Sequence, residues 1–269
     1  RLINTFQIAA DAVTQVDQGR MLPLAVTAAA SGYRGIVKQV PIGAVSLISP
    51  FNFPLNLTAH KIAPAIAAGC PFVLKPPSLT PISALKIAEI MAETDLPRGA
   101  FSVLPCPREL ADLLVTDERF KLLSFTGSDA VGWDMKARAG RKKVVLELGG
   151  NAAVMIEPDT EINDALINRL IGGAYNHAGQ VCISVQRILV HQQIYTEVKE
   201  KLLAKLKTIK AADPNLSTTL VGPMIKEAEA KRLKKWLDKA LKKDAKILIG
   251  GELNGVMFAP TLLENVDHS

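Results

Sequence analysis

At 269 residues, 48% apolar and 22% charged, the chain can bury a sizeable core and lacks the composition of a disordered segment. No run approaches the roughly 20 apolar residues that a membrane span requires, and the opening Arg1-Leu2-Ile3-Asn4 shows neither an initiating Met nor a basic-then-apolar leader. The net charge of +6 is concentrated in residues 197–246, which hold 14 Lys/Arg against 7 Asp/Glu on helical patterns with few aromatics, the signature of a solvated face rather than of a nucleic-acid surface.

In chain order, residues 19–40 stand apart first: 22–30 and 33–39 flank Ser31-Gly32, a turn signal, and read as the two strands of an extended hairpin. Short runs rich in Val, Ile and Leu then alternate with longer helical patterns. Strands are expected at 44–48, 71–75, 101–104, 122–125, 143–148, 153–156, 188–190 and 246–249. Helices are expected near 55–69, 80–93, 108–115, 129–139, 161–175, 192–210 and 225–243. Ser78 or Thr80 with Pro81 supplies a start for the second helix. The last carries Ile225, Ala228, Leu233, Leu237, Ala240 and Leu241 at helical spacing with lysines opposite. Strands this short and apolar predict burial on both faces, hence a mostly parallel sheet covered by helices, and the α/β class.

Chemically capable residues punctuate these elements. Cys70, Cys106 and Cys182 form no Cys-x-x-Cys pair, which disfavours a disulfide framework or a zinc site and predicts a reducing, cytoplasmic setting. His60, His177, His191 and His268 show no metal-ligand spacing, and no metal is expected. Asn52, within Pro50-Phe51-Asn52-Phe53-Pro54, either satisfies turn backbone or donates its amide N–H to a developing oxyanion, a contribution of about 10²–10³ in rate per donor. Lys75, at a strand's carboxyl end before Pro76-Pro77-Ser78, is a solvated lysine or reaches a ligand in the crevice of the sheet. Gly127-Ser128 leads into the helix near Asp129 as an ordinary N-cap or as a phosphate cradle, without any Gly-x-Gly-x-x-Gly fingerprint. Glu147 closes the apolar run Val144-Val145-Leu146 and precedes Leu148-Gly149-Gly150. A carboxylate ending a buried strand is either a charge emerging at the sheet edge or a general base. Cys182, after Gly179-Gln180-Val181, is a small core residue or, near a helix start, a thiolate favoured by backbone N–H groups and the helix dipole.

In order and content, Pro50–Pro54, 69–76, Phe125–Ser128, Glu147–Gly150 and Gly179–Cys182 together resemble the aldehyde dehydrogenase superfamily, and the resemblance runs through the whole chain. It implies NAD(P)-dependent oxidation of an aldehyde to a carboxylic acid. Cys182 is then the thiolate that attacks the aldehyde, and Asn52 with the backbone N–H of Cys182 holds the oxyanion. The thiohemiacetal becomes a thioester after hydride transfer, and Glu147 activates the water that releases the acid. For the cofactor, NADP or NAD, the resemblance assigns Gly127 and Ser128 to the pyrophosphate, Lys75 to the adenosine ribose, and Leu148 and Gly149 to the nicotinamide side. Ser49, Phe51 and Ser78 join this set. Ser78 departs from NAD-preferring relatives, which often carry Glu there, so NADP is expected to be accepted. Phe53, Leu57, His60, Tyr175 and Ile183 are expected to line the aldehyde tunnel, and semialdehyde-oxidising relatives often carry Arg in place of His60.

The resemblance also divides the chain. Residues 1–18 and 41–146 correspond to a Rossmann-like cofactor domain, 19–40 to a protruding hairpin arm used in homodimers or homotetramers, and 147–269 to the first part of an α/β catalytic domain. Complete relatives are nearly twice as long, so an internal piece lacking both ends, with little activity alone, is expected. The competing readings are a coenzyme A-acylating enzyme, which typically lacks the glutamate, and a catalytically silent binding unit. Neither membrane nor nucleic acid is an expected partner.

Overall fold

The structure is a computed structural model that describes residues 1–16 and 19–267. Asp17, Gln18, His268 and Ser269, on which the end of the expected 1–18 segment, the fourth histidine and the end of the expected 147–269 segment fall, lie outside the described residues. The chain divides into two compact units, Arg1–Leu148 and Gly149–Ser269.

The first unit opens with helix α1 (Leu2–Val16), which lies against α2 (Pro54–Ala67), Leu2 and Phe6 packing on the core beneath it. Helix α1 was not among the expected elements, although Leu2, Thr5, Phe6, Ala9 and Ala12 recur at helical spacing on its half-buried face. The hairpin is real but shorter than expected: β1 (Arg20–Pro23) pairs antiparallel with β2 (Arg34–Val37), Arg20 opposite Val37. The expected strand 22–30 is thereby corrected. Beyond Pro23 the chain turns and forms a 3-10 turn at Ala28–Ala30, leaving Val26 86% exposed and unpaired in any ladder.

A five-stranded, all-parallel sheet forms the body of this unit. Its strands are β3 (Val45–Ile48), β4 (Phe72–Lys75), β5 (Phe101–Val103), β6 (Leu122–Thr126) and β7 (Lys143–Glu147), in the order β5-β4-β3-β6-β7. Helices α3 (Ile82–Ala92), α4 (Arg108–Thr116) and α5 (Asp129–Arg138) join α2 as the crossovers. Central β3 shows why the sequence reads as a continuous apolar run. Val45 and Leu47 enter a core with Ile62, Leu74, Ala84 and Ile87, while Ile48 enters another with Leu114, Leu123 and Phe125. Both faces are covered, as a parallel sheet requires. Ser46, on the second face, is fully buried and donates its hydroxyl to Leu114 O at 2.7 Å. Leu47, Ile62, Leu74 and Leu123 are among the largest fully buried side chains, each worth about 1.5–3 kcal/mol of transfer free energy. The second helix starts at Ile82 with Pro81 as its N-cap, and neither Ser78 nor Thr80 caps it.

The second unit holds a parallel pair, β8 (Ala153–Ile156) with β9 (Arg187–Val190), crossed over by α6 (Asp164–Tyr175). Asn163 caps α6, its side-chain oxygen accepting from Leu166 N–H at 3.0 Å. Helix α7 (Tyr195–Leu206) buries Val198, Leu202 and Leu206 against Ile167, Leu170 and Ile171 of α6. Helix α8 (Glu227–Leu241) follows, then β10 (Lys246–Ile249), the two-residue strands β11 (Leu253–Asn254) and β12 (Met257–Phe258), and β13 (Leu262–Glu264), which pairs with β10. On α8 the basic face is laced with Lys231–Glu227, Arg232–Glu229 and Lys234–Asp238 pairs at i,i+3 and i,i+4, each worth a few tenths of a kcal/mol. Gly250 sits at φ +80° where an added Cβ would stand 2.1 Å from Pro260 O. No described helix is long and apolar enough to cross a membrane.

Candidate active site

In the first unit, β3 comes first in the chain yet sits centrally. Strands β4 and β5 continue to one side of it, β6 and β7 to the other. That reversal falls at the carboxyl ends of β3 and β6, the place where open α/β sheets bind ligands. Most of the expected site residues of this unit fall on that edge. Ser49, Phe51 and Asn52 follow β3, Lys75 and Ser78 end or follow β4, Gly127 and Ser128 follow β6, and Glu147 ends β7.

Local bonds fix these loops. Asn52 is half-buried, and its Oδ1 accepts from Phe53 N–H at 3.1 Å, which orients the amide on its own loop. The Thr80 hydroxyl donates to Phe51 O at 3.3 Å, tying the loop after β3 to the one after β4. Lys75 Nζ donates to Ser78 Oγ and Pro76 O, both at 3.2 Å, so the two residues expected at the ribose are already paired. Ser49 is buried; its hydroxyl accepts from Thr58 at 3.1 Å and its backbone N–H donates to Lys75 O at 3.3 Å, fixing the end of β3 against β4. Ser128 is the N-cap of α5 but makes no side-chain capping bond, so the first turn keeps backbone N–H groups that no helix satisfies internally. At Gly127 a Cβ would meet the Phe125 ring at 2.4 Å, so a larger residue there must displace that buried ring. These residues suit a dinucleotide: backbone donors at a helix start for a pyrophosphate, and an ammonium with a hydroxyl for a ribose.

Glu147 corrects the burial argument that singled it out. Its strand is the sheet's edge and its side chain is exposed, so no desolvation cost marks it. The buried charge is elsewhere. Lys61, on α2, is 6% exposed and donates to Ser124 Oγ at 2.9 Å. Burial pushes its pKa down to about 8, against an opposing pull from the Glu147 charge. Sequence reasoning missed it because a lysine in a helix usually marks the solvent face. Its spacing from Thr58 and Ala65, three and four residues away on the buried stripe, was the available signal. Also on α2, His60 is exposed and its Nε2 accepts from Asn56 Nδ2 at 3.2 Å, one turn after half-buried Leu57. Phe53 has the Arg1 guanidinium 5.7 Å from its ring centroid.

In the second unit, α6 runs into a 3-10 turn (Asn176–Gly179), and Cys182 lies three residues beyond it on an exposed turn. No helix begins at Cys182, so the expected help from a helix N-terminus does not apply. The approach to it is instead left-handed: His177 at φ 56°, Ala178 at φ 55° and Gly179 at φ 69°. The two non-glycine residues cost about 1–2 kcal/mol each in that conformation. Gln180 and Ser184 bracket the cysteine. Gln180 Nε2 donates to His177 O and Pro223 O, both at 3.2 Å, and its Oε1 accepts from Ile225 N–H at 2.9 Å. Ser184, buried, donates to Ala174 O at 3.1 Å. Tyr175 packs against the α6–α7 core and its hydroxyl donates to Thr261 O at 2.9 Å; burial pushes its pKa up to about 12. Burial also lowers the pKa of His177. Ile183, next to Cys182, is 77% exposed, and Gly149 is exposed at the start of this unit. Among the described residues no three His, Cys, Asp or Glu side chains gather as metal ligands.

The model of the aldehyde dehydrogenase family matches residues 1–269. A 3-sulfolactaldehyde dehydrogenase of Priestia aryabhattai is 40% identical over 268 residues, 99% of this chain and 56% of that protein. Among solved structures, aldehyde dehydrogenase 21 from Physcomitrella patens, in complex with the reaction product succinate, is 51% identical with a TM-score of 0.95. The match covers 99% of this chain and 55% of that one. Glyceraldehyde-3-phosphate dehydrogenase from Methanocaldococcus jannaschii, complexed with NADP, is 37% identical with a TM-score of 0.89, over 97% and 57% of the two chains. The chain thus spans little more than half the length of the relatives it matches.

Proposed function

Since the chain belongs to the aldehyde dehydrogenase family, we propose that this protein oxidises a small polar aldehyde to the carboxylic acid with NADP or NAD. What carries the reading is the collection of Asn52, Lys75, Ser78, Gly127, Ser128 and Glu147 on the carboxyl edge of one parallel sheet. The thiolate of Cys182 attacks the aldehyde carbon, and the Asn52 amide with the Cys182 backbone N–H receives the charge that develops on oxygen. NADP or NAD, when bound, supplies the hydride acceptor. Gly127, Ser128 and the first turn of α5 hold its pyrophosphate, Lys75 and Ser78 its adenosine ribose, and Ser49, Phe51, Leu148 and Gly149 complete its surroundings. Glu147, reached by the charge of Lys61, takes a proton from the water that cleaves the Cys182 thioester and frees the acid.

Ser78 puts no carboxylate against a 2′-phosphate and Lys75 adds a cation, which favours acceptance of NADP. Phe53, Leu57, Tyr175 and Ile183 give the substrate apolar surface, and the Asn56–His60 pair a polar end. The relatives named above act on or hold small, oxygen-rich compounds, which supports that choice. The hairpin, with Met21 and Ile36 exposed, is proposed as the contact of a homodimer or homotetramer. Unpaired cysteines agree with a reducing, cytoplasmic setting.

The test combines a panel of hydroxyaldehydes, semialdehydes and alkyl aldehydes with NADP and NAD, on a form extended to the relatives' length, because these residues alone are expected to show little activity. Aldehyde-dependent cofactor reduction should vanish in Cys182→Ala, and Glu147→Gln should accumulate an acyl adduct on Cys182 visible by mass. Undiminished reduction in Cys182→Ala would sink the proposal.

A further inference from the structure

The left-handed run before Cys182 needs something to hold it. His177 and Ala178 are not residues that favour positive φ as glycine does. Their conformation persists only where the surroundings over-determine it. Two features do so. Ala178 packs against the cluster of Met224, Ala230, Leu237 and Phe258, and the Gln180 side chain bonds three backbone groups at once. Those groups are His177 O inside the turn and Pro223 O and Ile225 N–H in the segment that leads into α8. That segment is anchored in turn, Met224 N–H donating to Val256 O at 2.8 Å.

We propose that Gln180 is a positioning residue: its amide ties the left-handed turn at 177–179 to residues 223–225 and thereby sets where the Cys182 thiol stands. The inference goes beyond the proposed activity, and it rests on that reading only in calling Cys182 the nucleophile. Without the amide, the turn relaxes toward ordinary backbone conformations and the thiol no longer keeps one position.

The test uses the full chain and four forms: wild type, Gln180→Met, Gln180→Glu and Gln180→Met with His177→Gly. Gln180→Met keeps the length and removes every bond. Gln180→Glu retains the acceptor for Ile225 N–H and carries the comparison if the methionine variant does not fold. Amide exchange over residues 177–184 should quicken at least tenfold in Gln180→Met. The iodoacetamide rate of Cys182 should move at least threefold, with Cys70 and Cys106 within twofold as internal controls. Glycine at 177 removes the cost of the left-handed conformation there and leaves the Ala178 packing in place, so the double variant should recover at least threefold of the lost exchange protection. A role in overall stability alone would not give that rescue. Unchanged exchange and alkylation, or faster exchange still in the double variant, would overturn the proposal. A Cys182 that reacts no faster than Cys106 while the exchange pattern holds would instead count against the nucleophile reading and support the clamp.

Discussion

Replacing Lys61 by methionine should stabilise the chain more at neutral pH than at high pH, by an amount the structure sets. Lys61 is 6% exposed with one neutral hydrogen-bond partner, Ser124. A pKa lowered from 10.5 to about 8 corresponds, at about 1.4 kcal/mol per pH unit, to roughly 3 kcal/mol of cost for burying the ammonium. Below about pH 8 both the folded and the unfolded chain hold the proton and the cost is fully present. Between about 8 and 10.5 the unfolded chain binds more protons than the folded one, so stability climbs with pH. Lys61→Met has the same reach and no charge, and the donor it takes from Ser124 is missing at every pH, so that loss cancels in a comparison across pH. The gain from the substitution should therefore be about 2–3 kcal/mol larger at pH 7 than at pH 10. Urea unfolding followed through Trp133, with Trp236 replaced by Phe in both forms, reads the first unit. A difference between Lys61→Met and wild type that stays constant within about 0.5 kcal/mol from pH 7 to pH 10 would refute the reasoning.

Three further outcomes follow from particular contacts. Ser78→Glu should weaken NADP binding at least tenfold and leave NAD within about threefold in equilibrium titrations, because a carboxylate facing a 2′-phosphate costs on the order of 1–3 kcal/mol. Gly250→Ala, which must place a methyl on Pro260 O in a left-handed conformation, should cost at least about 3 kcal/mol in denaturant unfolding. Asn163→Ala removes the cap of α6 and should cost about 1 kcal/mol, with Asn163→Ser recovering most of it.

Short apolar runs were legible as strands, but how deeply each strand is buried was not. Val45–Ile48 is covered on both sides, whereas the equally apolar runs of β7, β8, β9 and β10 leave Val145, Met155, Leu189 and Ile247 exposed, so the expected burial on both faces is corrected for those four strands. Helix α1 carried a helical spacing in Leu2, Phe6, Ala9 and Ala12, but its β-branched residues, the lack of charged pairs and the lack of an acidic first turn masked it. Strands β11 and β12 are two residues each, too short to show a period. In the hairpin, Val26 and Thr27 suggested strand by propensity, but no partner lies opposite them, and pairing rather than propensity decides. The loops on the sheet's carboxyl edge were legible by residue type. The backbone around Cys182 was not, because His177 and Ala178 give no hint of positive φ; their conformation is imposed by contacts with residues some 45 positions later, as the Gln180–Ile225 bond shows.

The loops gathered on the carboxyl edge each hang from a different strand, and the strands beneath them are sealed by side chains that the loops do not share. Chemistry and architecture are thus separately heritable here. On the proposed reading, a change at Ser78 would retune which dinucleotide is welcome, and one at His60 which aldehyde, without touching buried Leu47 or Leu123. The loops can then be edited one at a time while the sheet beneath them keeps its two cores.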